Sequence, residues 1–168
     1  MSHVIMPVSE QMMLEKDRIA GRVFELSGKN DFHLVPLAVS DWNADLSPWE
    51  FSDGRNYFAG RADFFLEKLL GVAESLSADG GRLILAGYSL AGLFVLWASG
   101  RTDIFDGVAS CSGSLWFPGF SEAEIRPNCK KIYLSLGDRE CRTKNPSMRK
   151  IRDVTEKYAD DLRKCNRY

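Results

Sequence analysis

A chain of 168 residues has the length of one domain with room for a real core. Its hydrophobic content of 45% and charged content of 27% are those of an ordinary soluble globular protein. A net charge of -1 gives no electrostatic reason to expect nucleic acid or anionic lipid as partner, and no apolar run is long enough to span a bilayer.

The N-terminal segment MSHVIMPVSEQ carries an apolar patch without a basic region before it or a small-residue cleavage site after it. Its residues 4–8 (VIMPV) read as a strand rather than a leader. From about Ser9, a plausible N-cap, to Leu26, the residues Met12, Ile19, Val23 and Leu26 recur at helical spacing. Gly28, Asn30 and Asp31 then punctuate the chain. Residues 32–39 (FHLVPLAV) are nearly all apolar, which suits a strand buried on both faces of a sheet. Residues 40–56 (SDWNADLSPWEFSDGRN) are rich in turn formers, and a connection this long is more often functional than filler. A helix follows with Phe58, Ala62, Phe65, Leu66, Leu69 and Leu76 on one stripe, ended by Asp79-Gly80-Gly81.

The second half repeats the alternation. Residues 82–87 (RLILAG) form a strand that turns through small residues into an apolar helix, 89–99. Residues 107–111 (GVASC) are a further strand, followed by the loop SGSLWFPGF, and 131–136 (KIYLSL) are another, breaking at Gly137. Asn145 N-caps a last helix with Pro146 in its first turn and a stripe of Met148, Ile151, Val154, Tyr158 and Leu162. Strands alternating with helices in this way predict an α/β domain with a mainly parallel, doubly wound sheet and helices on both faces, three layers in all. Loops that follow strands then gather along one edge. Residues 40–56, 87–90, 112–120 and 137–143 should meet there.

Four cysteines, Cys111, Cys129, Cys141 and Cys165, show neither C-x-x-C pairing nor zinc-site spacing, and only His3 and His33 offer imidazole. Reduced thiols, a cytoplasmic location and the absence of any metal or other cofactor are the corresponding expectations.

The segment Gly87-Tyr88-Ser89-Leu90-Ala91-Gly92 carries the chemistry. A nucleophile elbow reads G-x-S-x-G, and here alanine stands at the second glycine. A serine at the apex of a strained turn needs small neighbours two positions away on each side, and Gly87 and Ala91 are small. The helix N-terminus would then face the reaction, with the Leu90 N–H as oxyanion donor. Taken alone, the pentapeptide fits a nucleophile elbow or simply a tight turn between strand and helix. It does not fit a dinucleotide fold, which needs G-x-G-x-x-G, or a phosphate loop, which needs Gly-Lys-Ser/Thr.

GYSLAGLFVLWA, followed by IFDGVASCSGSLWFPGF and KIYLSLGDRE, resembles the esterase branch of the α/β-hydrolases. That branch includes ferric-enterobactin (siderophore) esterases, feruloyl esterases and related carboxylesterases. DWNADLSPWE also looks like a loop carried by its bacterial members, and the likeness runs roughly from Val4 to Leu162. The resemblance implies serine esterase activity on a small-molecule ester, with Ser89 as nucleophile. It implies Glu140 of Gly137-Asp138-Arg139-Glu140 as the acid, with Asp138 in reserve. It implies a second oxyanion donor from the loop after FHLVPLAV, for which Trp42 is the choice, and a substrate pocket that includes Tyr88, Ser114 and Trp116.

A serine esterase needs a base, and in this fold the chain order is Ser, acid, His. No histidine follows Glu140 in these 168 residues. His3 and His33 precede or open their strands, at the opposite edge of the sheet from the expected site. Two expectations follow. One is a single domain, residues 1–168, lacking the last strand, histidine loop and terminal helix, which predicts an exposed sheet edge and self-association through it. The other is a non-catalytic binding protein for an ester or siderophore-like ligand that keeps the fold.

Overall fold

The computed structural model of the chain describes residues 1–28 and 31–165; the turn signal at Asn30 lies outside them. Five strands form one fully parallel sheet: β1 (Ser2–Val8), β2 (Phe32–Ala38), β5 (Arg82–Tyr88), β6 (Gly107–Cys111) and β7 (Lys131–Ser135). Their order is β2-β1-β5-β6-β7. The chain steps one way across the sheet from β1 to β2 and then the other way through β5, β6 and β7. Right-handed crossovers therefore put the connecting helices on opposite faces. On one side lie α1 (Glu10–Leu14) and α2 (Lys16–Ser27); on the other lie α4 (Ala62–Ser77) and α5 (Leu90–Ser99). The three-layer, doubly wound α/β fold read from the alternation of elements is the fold observed.

Burial shows how unequal the two faces are. All ten residues of α5 are buried, so this helix is apolar all round and has no solvent side. It shares one core with Ile5, Leu83, Leu85 and Val108, which alternate along their strands and are at most 2% exposed. Phe94 of α5 meets Phe65 of α4 edge-to-face at 5.3 Å, and Trp97 lies 5.8 Å beyond it. The other strand parity, Val4, Met6, Ile84, Ala86 and Ala109, is only half-buried. Most of the large apolar side chains of α2 stay in solvent as well, with Val23 42% and Leu26 73% exposed.

Four details differ from the sequence reading. The helix over residues 9–26 is two helices that break at Glu15, whose N–H bonds back to the Met12 and Met13 carbonyls. The segment 40–56 contains a short helix, α3 (Trp42–Asp45), and β3 (Glu50–Ser52), which pairs with β4 (Tyr57–Ala59) as a hairpin. Phe58 therefore belongs to a strand, where it stacks on Phe51, and the helix after it starts only at Ala62. The last helix is likewise divided, into α6 (Pro146–Arg149), capped by Asn145, and α7 (Ile151–Lys164). No helix among the described residues is long and apolar enough to cross a membrane.

Two measurements check this packing. Phe94→Ala empties the centre of the buried face and should lower stability in urea by about 3–5 kcal/mol. The four cysteines are all free thiols. Burial pushes the Cys129 thiol above its ordinary range, whereas Cys165 is exposed. Alkylation at mildly basic pH should modify Cys165 first and Cys129 last, and the order is read by peptide mass mapping.

Candidate active site

Ser89 stands between β5 and α5 with φ 56° and ψ -122°. A side-chain-bearing residue adopts positive φ only where the surroundings force it. Here the forcing contacts are on both sides. The Ser89 N–H donates to the Cys111 carbonyl of β6 at 3.1 Å. Its own carbonyl accepts from the N–H groups of Gly92 and Leu93 at 2.9 and 3.2 Å, and from Ser114 at 2.9 Å. The turn is thus tied to the neighbouring strand, to its own helix and to the loop after β6.

The small residues around it are steric necessities. A Cβ on Gly87 would stand 2.3 Å from the Ala91 carbonyl oxygen. A Cβ on Gly92 would meet the Gly113 Cα at 2.7 Å, and one on Gly113 would sit 2.3 Å from Ser110 Oγ. The start of α5 and the loop after β6 therefore touch backbone to backbone, and this brings Ser114 to Ser89: their hydroxyl oxygens are 3.4 Å apart.

Around the serine opens a pocket of about 270 Å³. Its walls include Tyr88, Ser112, Ser114, Trp116 and Glu140, with Met148 and Ile151 from the last helices. Five of the residues singled out in the sequence, Tyr88, Ser89, Ser114, Trp116 and Glu140, meet in this one cavity. Glu140 arrives from the loop after β7, where its Oε1 accepts from the Ser112 hydroxyl at 2.5 Å and from the Gly137 N–H at 2.9 Å. Among the described residues, Oε2 takes no donor. Asp138 lies outside the pocket walls, and its carbonyl accepts from the Arg152 guanidinium at 3.0 Å.

Leu90 is the first residue of α5, in the turn whose N–H groups a helix leaves unpaired. Trp42 opens α3 directly after β2, behind the N-cap Asp41, whose carboxylate accepts from the Ala44 N–H. Neither side chain is part of the pocket wall. Segments 40–56 and 112–120 do meet, as the winding required. Trp49 donates its indole N–H to the Pro118 carbonyl at 2.6 Å, and Phe51 and Phe58 pack edge-to-face on Phe117.

The residue that sequence reading did not single out is Ser112. Like Ser89 it has positive φ, 47°, and its N–H donates to the Ser135 carbonyl. It holds the Glu140 carboxylate toward the pocket. Neither histidine comes near. His3 is opposite Leu83 in register, and from Leu83 to Ser89 is about 20 Å at roughly 3.3 Å per residue. His33 pairs with His3, their Nδ1 atoms 3.4 Å apart, at the same far end of the sheet.

No family model matches the chain, and no curated protein matches it in sequence. Among solved structures it is similar to the siderophore hydrolase EstB from Aspergillus nidulans, with a TM-score of 0.61 and 16% identity. The alignment covers 99% of this chain and 68% of that one. At that identity the likeness is one of fold: a hydrolase-like α/β architecture runs through nearly the whole chain.

The strain at Ser89 gives a stability prediction. Ser89→Gly relieves the positive φ and should raise the melting temperature above that of Ser89→Ala, which keeps the strain, by an amount equivalent to about 1 kcal/mol or more. Differential scanning calorimetry of the two variants compares them directly.

Proposed function

We propose that this chain is a serine carboxylesterase-like hydrolase, acting on a small-molecule ester through an acyl-enzyme. The single observation behind this reading is Ser89, held at positive φ at the end of a central strand, in a cavity it shares with an oriented carboxylate. The Ser89 oxygen attacks the ester carbonyl, the C–O bond to the alcohol breaks and the serine proton ends on the leaving alcohol; water then cleaves the acyl-serine, releasing the acid and restoring the hydroxyl. The Leu90 N–H, with that of Trp42 in support, stabilises the oxyanion of each tetrahedral intermediate. Glu140 rather than Asp138 is the acid, because its carboxylate is in the cavity and keeps Oε2 open to a partner. Tyr88, Ser114 and Trp116 contact the substrate.

The role that these residues leave open is the base. A serine hydroxyl hardly ionises at neutral pH, and an imidazole normally takes its proton and returns it to the leaving group. With both histidines at the far end of the sheet, oxyanion binding and substrate positioning alone leave about 10³–10⁴-fold acceleration over water. The same observation favours a second reading, in which the pocket binds an ester or siderophore-like ligand without turning it over.

A fluorophosphonate probe separates the two. Under the esterase reading it labels Ser89 slowly, added imidazole speeds both labelling and hydrolysis of an activated aryl ester, and Ser89→Ala abolishes both. Glu140→Gln should cut the imidazole-assisted rate at least tenfold, whereas Asp138→Asn leaves it within twofold. Saturable ligand binding with no labelling at any imidazole concentration selects the second reading. Unassisted turnover on the order of 10 per second, the ordinary enzyme median, would show that a base is already in place.

A further inference from the structure

The two histidines of the chain meet although they stand 30 positions apart. They lie directly opposite each other in the β1–β2 register, on the face of the sheet that also carries Ile5 and Leu37. Backbone bonds hold that register at both ends of the ladder. Ser2 donates to the Asp31 carbonyl on one side of the pair, and Val39 donates to the Val8 carbonyl at the other end. Odd-numbered residues of β2 thereby turn their N–H and C=O groups toward β1. The even-numbered row, with Pro36 in its middle, turns outward, where a missing N–H leaves no gap in the pairing.

His3 is only 2% exposed, and its ring is held from behind. A Cβ on Gly81, just before β5, would stand 2.6 Å from His3 Cδ2 and 2.7 Å from its Nε2, so a side chain there would push the buried ring out of place. With that side closed, Nδ1 is the nitrogen turned to His33. The two Nδ1 atoms are 3.4 Å apart, with the ring planes at 77°.

That separation is long for a hydrogen bond, since N–H donors mostly sit about 2.7–3.2 Å from an oxygen acceptor. It matches a different arrangement. Two nitrogens bound at about 2.0–2.1 Å to one tetrahedral ion lie roughly 3.3–3.4 Å apart. Neighbouring corners of a square-planar site at the same bond length would be only about 2.9 Å apart.

We infer that His3 and His33 hold a tetrahedral divalent cation, of which Zn²⁺ is the type, through their Nδ1 atoms. Imidazole is a ligand that such borderline cations favour. No group of three His, Cys, Asp or Glu side chains suited to a metal occurs among the described residues, so water completes the coordination and the affinity is micromolar rather than nanomolar. In the metal-free pair one ring is the Nδ1–H donor. It must move that proton to Nε2 to free its lone pair, and His33, the exposed ring, does so through water. Both rings then bind as neutral ligands. The ion ties β1 to β2 across the segment that carries α1 and α2, and closing a long loop in this way restricts the unfolded chain. Its place at the far end of the sheet from Ser89 makes the role structural, and the inference is independent of the esterase reading.

Calorimetric titration of the whole chain with zinc chloride, on protein that carries no polyhistidine tag, tests it. One micromolar site per chain is expected, with a melting temperature that rises with zinc concentration. His33→Ala should weaken binding at least tenfold while the circular dichroism stays unchanged, because the position is exposed. The four free cysteines are the competing ligands, so zinc binding that survives His33→Ala overturns the inference. Absence of binding at millimolar zinc also overturns it. The unsubstituted chain supplies the second readout. It has two imidazoles in all, so a nitrogen NMR spectrum of the rings reads the ligating atoms directly. Zinc should shift both Nδ1 resonances and leave both Nε2 atoms protonated. A shift at one ring alone, or coordination through Nε2, would show that the pair is not the site.

Discussion

The site depends on one backbone constraint, the positive φ of Ser89. A residue with a side chain does not hold that conformation by itself, so the energy to keep it there comes from the contacts around it. Three connections converge on this residue. The Ser89 amide is bonded to β6, its carbonyl closes the first turn of α5, and the same carbonyl accepts the Ser114 amide from the next loop. The last of these bonds depends on Gly92 and Gly113, which let helix and loop approach to backbone contact. The wholly buried α5 anchors the arrangement, because a helix without a solvent face cannot shift to relieve strain at its end. Core packing and the exposure of one hydroxyl are thus the same structural problem.

The acid side of the pocket follows a similar plan. Ser112 also sits at positive φ, at the end of β6 as Ser89 sits at the end of β5, and each serine is bonded through its amide to the adjacent strand's carbonyl. The two strained serines bracket the pocket: one presents its oxygen to the cavity, the other holds a carboxylate there. Both donors to Glu140 reach Oε1, so the carboxylate is oriented without being saturated. A carboxylate held in this way orients a cationic or N–H-bearing partner at little cost in rotamer entropy.

Much of this was legible in the sequence, for reasons that can be named. The strands are short apolar runs between turn-forming or polar residues, which made them legible, but burial on both faces did not follow: β2, whose run of apolar residues suited it, is an edge strand in which only Leu37 is buried. The elbow is legible because sterics admit only small residues at Gly87 and Ala91. The hairpin of β3 and β4 was not, since strands of three residues within a turn-rich segment show no periodicity; Phe58, four positions before Ala62, imitated a helical step. The break at Glu15 left no Gly or Pro to mark it. Ser112 escaped because its role lies in a backbone dihedral and in a partner 28 residues away, and neither is written in local pattern. The apolar positions of α2 have helical spacing, but spacing alone does not tell whether a stripe is covered, and most of this one is not.

Pro36 has a consequence for how copies of this chain can add to one another. A sheet with two open edges can recruit strands at both, and head-to-tail addition then continues without limit as a fibre. With Pro36 in the middle of its outer row, the β2 edge offers an added strand only an interrupted ladder of donors. One cyclic side chain thus disfavours continued addition of strands along the β2 side of the sheet.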